Sequence, residues 1–443
     1  MANNTIPKTK IKALFRMPLL FCLRTLKSIN LTDKKRIITG MISSKGKPEL
    51  LAPAGNLQKL KTAILYGADA VYFSGQRYGL RAAADNFTDF ELCEAIDFCH
   101  RYGAKAYITI NAYLQDEDLE GLEDFCKFLA SHKADGVVVS DPGVASLVKG
   151  CSDLKLHLST QVSCLNTDAA ILWKEMGIER IILGREVSIS DAAEIKRLTG
   201  LEVEIFIHGS MCSSYSGFCT ISNYTAGRDS NRGGCVHSCR FKYEVKPLQG
   251  ETTTTHFMSS KDMIGIEHVK EAATLGIDSL KIEGRMRSAL YIATACKAYR
   301  RVIDSVMENT EALEALNTAL RELNSFPHRD YYSNPFDGKV SQDSIYYDGT
   351  PTIKNATSSY AGVVIDCSEK LAAIKLYQKV STGDALEVVH PKASPFKFKA
   401  SNMLNILNEP IDTAQQDTIV KVPSSLLQDA AIPNVVLRKP ERG

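Results

Sequence analysis

From Glu49 to Glu308, short apolar and β-branched runs alternate with amphipathic helical stretches, and this alternation constrains the fold more than any other feature. Strands are expected at Glu49–Pro53, Ala70–Phe73, Ala106–Asn111, Gly136–Ser140, Lys155–Ser159, Arg180–Gly184, Glu202–Ile207, His256–Ser259 and Asp278–Ile282. Helices are expected between them, including Leu57–Tyr66, Phe90–Arg101, Ser190–Leu198 with Ser190 as its N-cap, Ile264–Leu275 and Leu290–Glu308. Apolar strands separated by amphipathic helices specify a parallel sheet covered on its helical side. So many units within ~260 residues point to a (β/α) barrel of the TIM type rather than a doubly wound sheet. The barrel domain is expected over residues 47–326.

Polar residues collect just beyond the expected strands: Asn111, Ser159-Thr160-Gln161, Arg185, His208-Gly209, Ser259-Ser260-Lys261-Asp262 and Glu283-Gly284-Arg285. In a barrel these positions open onto the C-terminal face, where such folds keep their active sites. After Pro327 the pattern changes to short β runs at Tyr360–Asp366, Leu371–Leu376, Ala385–Val389 and Thr418–Val422, divided by turns such as Thr382-Gly383-Asp384. Residues 327–443 are therefore expected to form a linker and a small all-β, partly closed barrel, suited to binding or positioning.

The formal charge of +2 hides an asymmetry: residues 1–46 hold ten Lys or Arg against Asp33 alone, or +9, which leaves −7 for residues 47–443. That basic stretch is expected to be disordered. It suits an RNA-binding arm or an organelle presequence, and the favoured reading is that translation begins at Met41. The body is not basic enough overall to bind nucleic acid by composition, so any RNA contact must use a local surface. No run of about 18 apolar residues occurs, so no membrane span is expected.

Twelve cysteines are many for a chain with no secretion signal, and a reducing, cytoplasmic compartment is expected. Cys22, Cys93, Cys99, Cys126, Cys151, Cys164, Cys296 and Cys367 are scattered through apolar contexts and read as buried free thiols. Cys212, Cys219, Cys235 and Cys239 fall within 28 residues as C-x6-C-x15-C-x3-C, in a glycine-rich stretch that follows a strand. Four thiolates there can hold an iron–sulfur cluster or a tetrahedral zinc. The zinc option lacks its usual C-x2-C knuckle, and four unconnected thiols are the third possibility. His208 and His237 flank the group as candidate acid–base or supporting residues.

The segments ELLAPAGNLQKLKTAILYGADAVYFSGQRYGLRA, HLSTQVSCLN, EIFIHGSMCSSYSGFCTIS and SLKIEGRMRS together resemble the collagenase-like peptidase family of unassigned catalytic type, over roughly residues 47–440. NYTAGRDSNRGGCVHSCRF, then MSSKDM, then a C-terminal β module are most similar to the branch that hydroxylates tRNA in a prephenate-dependent manner. The resemblance implies a four-iron four-sulfur (4Fe–4S) cluster held by Cys212, Cys219, Cys235 and Cys239. It also implies formation of 5-hydroxyuridine at the tRNA wobble position, with prephenate as cosubstrate. Two features depart from the family pattern: the basic arm before Met41, and a short stretch between Phe241 and Phe257.

A hydroxylase would turn its uridine out of the RNA loop, with Tyr72, Tyr78, Tyr113 and Tyr215 as candidate stacking partners. Arg81, Arg185, Lys261, Lys281, Arg285 and Arg287 are candidates for holding phosphate or a small acidic cosubstrate. Lys281 and Arg285 lead that group as catalytic candidates, weighed against structural ion pairs with Glu283. The alternative from another class is a peptidase: neither H-E-x-x-H nor G-x-S-x-G is present, so it would rest on a cysteine nucleophile with His208. A third is a non-catalytic RNA or assembly factor with a structural cluster.

Overall fold

The computed structural model describes residues 46–81, 84–333, 335–338, 344–345 and 357–440. The expectations for residues 1–45, Met41 and Cys22 among them, lie outside these.

Eight parallel strands close into a barrel: β1 (Glu49–Pro53), β2 (Ala70–Phe73), β3 (Lys105–Ile110), β4 (Gly136–Val139), β5 (Leu156–Leu158), β6 (Arg180–Ile182), β7 (Glu202–Ser210) and β11 (Ser279–Ile282). Closure runs through β11, where Leu280 is in register with both Leu50 of β1 and Ile205 of β7. Side chains alternate as the pleat requires. Leu50, Val71, Ile108, Val137, Ile181, Val203 and Leu280 point outward into the core shared with the helices. Leu51, Ala70, Tyr72, Tyr107, Val138, Ile182 and Phe206 form a second cluster inside the barrel.

The outer helices are α1 (Leu57–Leu65), α2 (Asp89–Arg101), α3 (Leu122–Ser131), α4 (Pro142–Cys151), α5 (Thr167–Glu175) and α6 (Ile189–Thr199), followed by α8 (Val269–Leu275), α9 (Ala289–Glu308) and α10 (Ala312–Leu323). Their starts are set locally. Asn56 caps α1, Thr88 forms a capping box with Glu91 on α2, and Asp141 caps α4 with Pro142 in its first turn. The cap of α6 is Ser188, not Ser190, because the helix begins at Ile189 and the Ser188 hydroxyl accepts from Asp191 N at 3.1 Å.

The region after β7 departs most from expectation. His256–Ser259 is not a strand. A small helix α7 (Ile221–Ala226) and a hairpin of β8 (Tyr243–Val245) with β9 (Thr253–Thr255) occupy the insertion. The expected helix at Ile264 starts instead at Val269, because Asp262–Ile264 forms β10. β7 overshoots the barrel and leaves an unpaired edge, and β10 satisfies it in antiparallel register, Ile264 against His208. The two-residue β12 (Tyr331–Tyr332) then pairs with β10, so the segment after Pro327 returns to the barrel.

The C-terminal module holds β13 (Ser358–Cys367), β14 (Leu371–Leu376), β15 (Val380–Ser381), β16 (Ala385–Val389), β17 (Phe396–Lys399), β18 (Thr413–Ala414), β19 (Ile419–Pro423) and β20 (Val436–Pro440). Six of these make an antiparallel sheet in the order β17-β16-β20-β13-β14-β19, with β15 and β18 paired separately. All four expected β runs are present, and β17 and β19 are the edges of the sheet among the described residues. Val364, Ile374, Leu386, Val388, Val420 and Leu437 fill its own core. The module does not stand apart: from Gly46 onward the chain forms one compact unit. Tyr66, the C-cap of α1, is buried at the junction, donating to the Val389 carbonyl at 2.5 Å and accepting from Val436 N at 3.1 Å.

Candidate active site

Below the C-terminal mouth the barrel interior is charged as well as apolar. Arg180 reaches Glu49 at 2.6 Å and Glu204 at 3.4 Å, and Lys281 reaches Glu204 at 2.8 Å. Tyr107 and Ser279 hydroxyls complete the coordination of Glu49 at 2.9 and 3.0 Å. Burial pushes the Glu49 carboxyl up, but the charge and hydrogen bond of Arg180 and the bond from Tyr107 outweigh it and hold the group below the usual range. The buried cations Arg180 and Lys281 thus face the buried Glu204 and the partly buried Glu49, the condition under which charge in an interior is tolerable. Lys281 also lies 4.2 Å from the centre of the Tyr72 ring. Burial draws its ammonium below the ordinary lysine value, and Glu204 restores only part of that. Lys281 therefore pairs with Glu204, not with Glu283, the carboxylate two residues along the chain.

Above this network the mouth holds a cavity of about 360 Å³. Strand-end residues supply its walls: Thr109 and Asn111 after β3, Ser159–Gln161 after β5, Arg185 after β6, and Lys281 with Glu283–Arg287 on and after β11. The insertion roofs it, bringing Cys212, Cys219, Cys235 and Cys239 to the one space. Gly217 seats the roof with φ of +81°, and a Cβ there would run into the Gln161 carbonyl. The Tyr113 hydroxyl, donating to the Gln161 and Gly217 carbonyls at 3.2 Å each, ties the same two loops.

The four cysteines are the residues here able to hold a metal group. Among the described residues no three His, Cys, Asp or Glu side chains gather around one ion position. Of the other cysteines, Cys99, Cys126, Cys164 and Cys296 are buried, while Cys93, Cys151 and Cys367 are partly exposed.

Seven cations line the cavity, Arg81, Arg185, Arg240, Lys281, Arg285, Arg287 and Arg329, against the single carboxylate Glu283. Four are satisfied by the protein. Lys281 has Glu204, and Arg287 and Arg329 share Asp262 at 3.0 and 2.9 Å. Arg240 donates to the Ser260 and Met211 carbonyls. Arg81, Arg185 and Arg285 form no ion pair among the described residues. Arg185 donates to Ser216 Oγ at 2.9 Å and stacks 3.9 Å over Phe206, leaving its buried Nε unpaired. Arg285, 4% exposed, donates to Asn86 Oδ1 at 2.5 Å and to Thr109 at 3.4 Å, and its Nε is also unpaired. Burial pulls the Arg285 guanidinium down to about 10. An anion entering the cavity would relieve that cost, because Arg forks match carboxylate and phosphate.

The structure moves several expected residues out of the site. His208 does not line the cavity. Its ring is 1% exposed and enclosed by Tyr291, Tyr299 and Tyr331, with Nδ1 3.3 Å from the Tyr299 hydroxyl. Burial, with the charges of Arg287 and His328, depresses it to about 3, which favours the neutral ring. The cysteine nucleophile of the peptidase reading would thus have no His208 beside it in the cavity. Tyr78 is buried with its hydroxyl on the Glu120 carbonyl, and Lys261 is not a wall residue. Tyr72 lines the wall with its hydroxyl on the Ile282 carbonyl, Tyr113 is not a wall residue and is engaged with backbone carbonyls, and only Tyr215 among the expected stacking rings is open to solvent. Arg329 was missed, because it lies beyond the expected domain boundary at residue 326. Asn86 was missed as the partner of Arg285, with nothing in a 199-residue separation to mark it.

The model of peptidase family U32 matches residues 55–345, and that of the peptidase family U32 C-terminal domain matches residues 356–437. A Bacillus subtilis protein named "tRNA hydroxylation protein P1" is 37% identical over 420 residues, covering 92% of this chain and 97% of that one. A Haemophilus influenzae protein named "tRNA hydroxylation protein P" is 31% identical, covering 84% and 92%. The Escherichia coli "23S rRNA 5-hydroxycytidine C2501 synthase" is 31% identical over 79% of this chain and 53% of its own length. With a cavity built from the barrel mouth and a cysteine-bearing roof, and with both family models matched in sequence order, the chain belongs to peptidase family U32.

Proposed function

We propose that this chain hydroxylates a wobble uridine of tRNA to 5-hydroxyuridine. In this reading Cys212, Cys219, Cys235 and Cys239 hold a 4Fe–4S cluster, and a small acidic cosubstrate, prephenate by resemblance, is held by Arg81, Arg185 and Arg285. The observation that carries it is the meeting of four thiols and three unpaired guanidiniums in one cavity at the catalytic end of a barrel. The names of the relatives support the same reaction class on RNA.

Replacing the C5 hydrogen of uracil by hydroxyl removes two electrons from the base, so the reaction needs an oxygen donor and a two-electron acceptor brought from outside the protein, and the bound cluster would supply the one-electron transfers that side chains lack. The chain's own residues bind and orient. Arg185 and Arg285 are fixed by Ser216, Asn86 and Thr109, so their forks are set before the acid arrives. Gln161, 9% exposed with no side-chain hydrogen bond among the described residues, is free to read the edge of an extruded pyrimidine. Lys281 holds the floor as a fixed positive charge beneath it.

The test is iron and acid-labile sulfide content of anaerobically purified protein beside Cys235→Ser/Cys239→Ser, followed by nucleoside analysis of tRNA from cells with and without the gene. A brown protein that bleaches in the double variant, and hydroxylated uridine that disappears with the gene, are expected. Colourless, iron-free protein after anaerobic reconstitution would sink the cluster assignment. Unchanged hydroxyuridine in cells lacking any parallel route would sink the reaction.

A further inference from the structure

We infer that the roof of the cavity is a stacking platform for the unpaired bases of an RNA loop, built from Tyr215, Phe218, Tyr224 and Phe241. The inference rests on the tRNA reading and assigns the surface by which that substrate is held. Seven aromatic side chains are exposed among the described residues, and five of them fall between Met211 and Phe257. Tyr215 is 53%, Phe218 68%, Tyr224 87% and Phe241 44% exposed. An apolar ring left in water at one such place is ordinary, but this concentration over a single mouth marks a binding surface.

Their placement follows the cavity. Tyr215 lines it, Phe218 sits between the wall residues Gly217 and Cys219, and Phe241 follows the wall residue Arg240. Tyr224 stands on α7, whose Ser222 contacts Ser238 between Cys235 and Cys239 at 3.2 Å. The surface is also basic: residues 211–250 hold five Lys or Arg against Asp229 and Glu244, in a body that is otherwise net negative. Of these, Arg228 and Lys242 make no ion pair among the described residues. Rings for base faces and cations for phosphates are what a single strand needs, and the rings do not serve a duplex, whose bases are already stacked. A loop seated on this roof would present one extruded base to the opening beneath.

The experiment uses the full chain, purified anaerobically, with three probes: a hairpin RNA bearing an unpaired uridine-containing loop, the same hairpin with its loop closed by pairing, and a blunt duplex. Phe218→Ala, Tyr224→Ala and Phe241→Ala replace exposed side chains, and circular dichroism and iron content would show the fold intact. Each is expected to weaken open-loop binding by about fivefold or more. The closed hairpin and the duplex should change by less than about twofold, since they bind through phosphate contacts. Phe218→Tyr, which keeps a ring, should restore affinity. Equal open-loop affinity in wild type and the triple variant would overturn the platform. If hydroxyuridine still forms with unchanged KM in that variant, the platform fails while the reaction stands. If wild type prefers the open loop and forms no hydroxyuridine, the surface stands and the reaction fails.

Discussion

Arg285 carries a charge that the fold buries with no ion pair among the described residues. A buried group kept at such a cost for structure alone would be improved by an apolar replacement. Arg285→Met is therefore expected to leave the melting temperature unchanged or raised. Binding of the acidic cosubstrate should weaken roughly tenfold or more, the worth of one charge-assisted hydrogen bond. Titration calorimetry with prephenate beside thermal melts would separate the two, and a lower melting temperature with unchanged binding would make Arg285 structural. His208 makes the opposite case. Its folded titration at about 3 lies below the ordinary 6.5, so the unfolded chain takes up the proton first as pH falls. The stability it contributes is complete above about pH 6.5 and is lost toward pH 3, at about 1.4 kcal/mol per pH unit. Urea unfolding of His208→Phe should show a shallower acid limb by about one proton. An unchanged limb would mean that another buried group, His157 first, dominates.

At the level of elements, the site is made by the overshoot of β7 and the loop that follows. The barrel strands and helices were legible because each carries its own period, inward and outward along a strand and one face along a helix. β10 was not, because Asp262–Ile264 becomes a strand only by pairing with the free edge of β7. The same holds for the roof, whose cysteine spacing was plain while its seat on the β5 loop was not. Gly217→Ala tests that seat. The left-handed backbone and the clash with the Gln161 carbonyl should cost about 1–3 kcal/mol. A roof lifted from the wall should also lower bound iron relative to wild type. Full iron content in the variant would show that the roof folds without this contact.

Across the whole molecule, barrel and module are joined through buried groups, Val363, Val389 and Val436 of the module sharing the barrel's outer core. The Tyr66 hydroxyl serves the Val389 carbonyl and the Val436 amide at once. Tyr66→Phe leaves both backbone groups without that partner in a dry interface, and a loss of about 1–3 kcal/mol is expected in equilibrium unfolding. Limited proteolysis should then cut first at the module. A variant as stable and as resistant as wild type would mean that water takes over the hydroxyl's role. Glu204 ties the other end of the barrel: Glu204→Gln removes the counter-charge of Lys281 and part of that of Arg180. Breaking one partner of such a network should cost about 3–5 kcal/mol. A loss below ~1 kcal/mol in urea unfolding would show that the interior charges are solvated.

By itself the sequence determined the barrel, the all-β module, the place of the mouth and the identity of the four thiols, because each is written in local periodicity, strand ends or spacing. Glu204, a carboxylate set between the apolar Val203 and Ile205 of β7, even carried an unread signal of a buried partner. Only the tertiary structure decided which charges are spent within the protein and which face the cavity. Lys281 is matched by a residue 77 positions away and Arg285 is left unmatched. Pairing across a closed sheet depends on which side chains the barrel turns inward at the same height, and a linear pattern does not contain that distance.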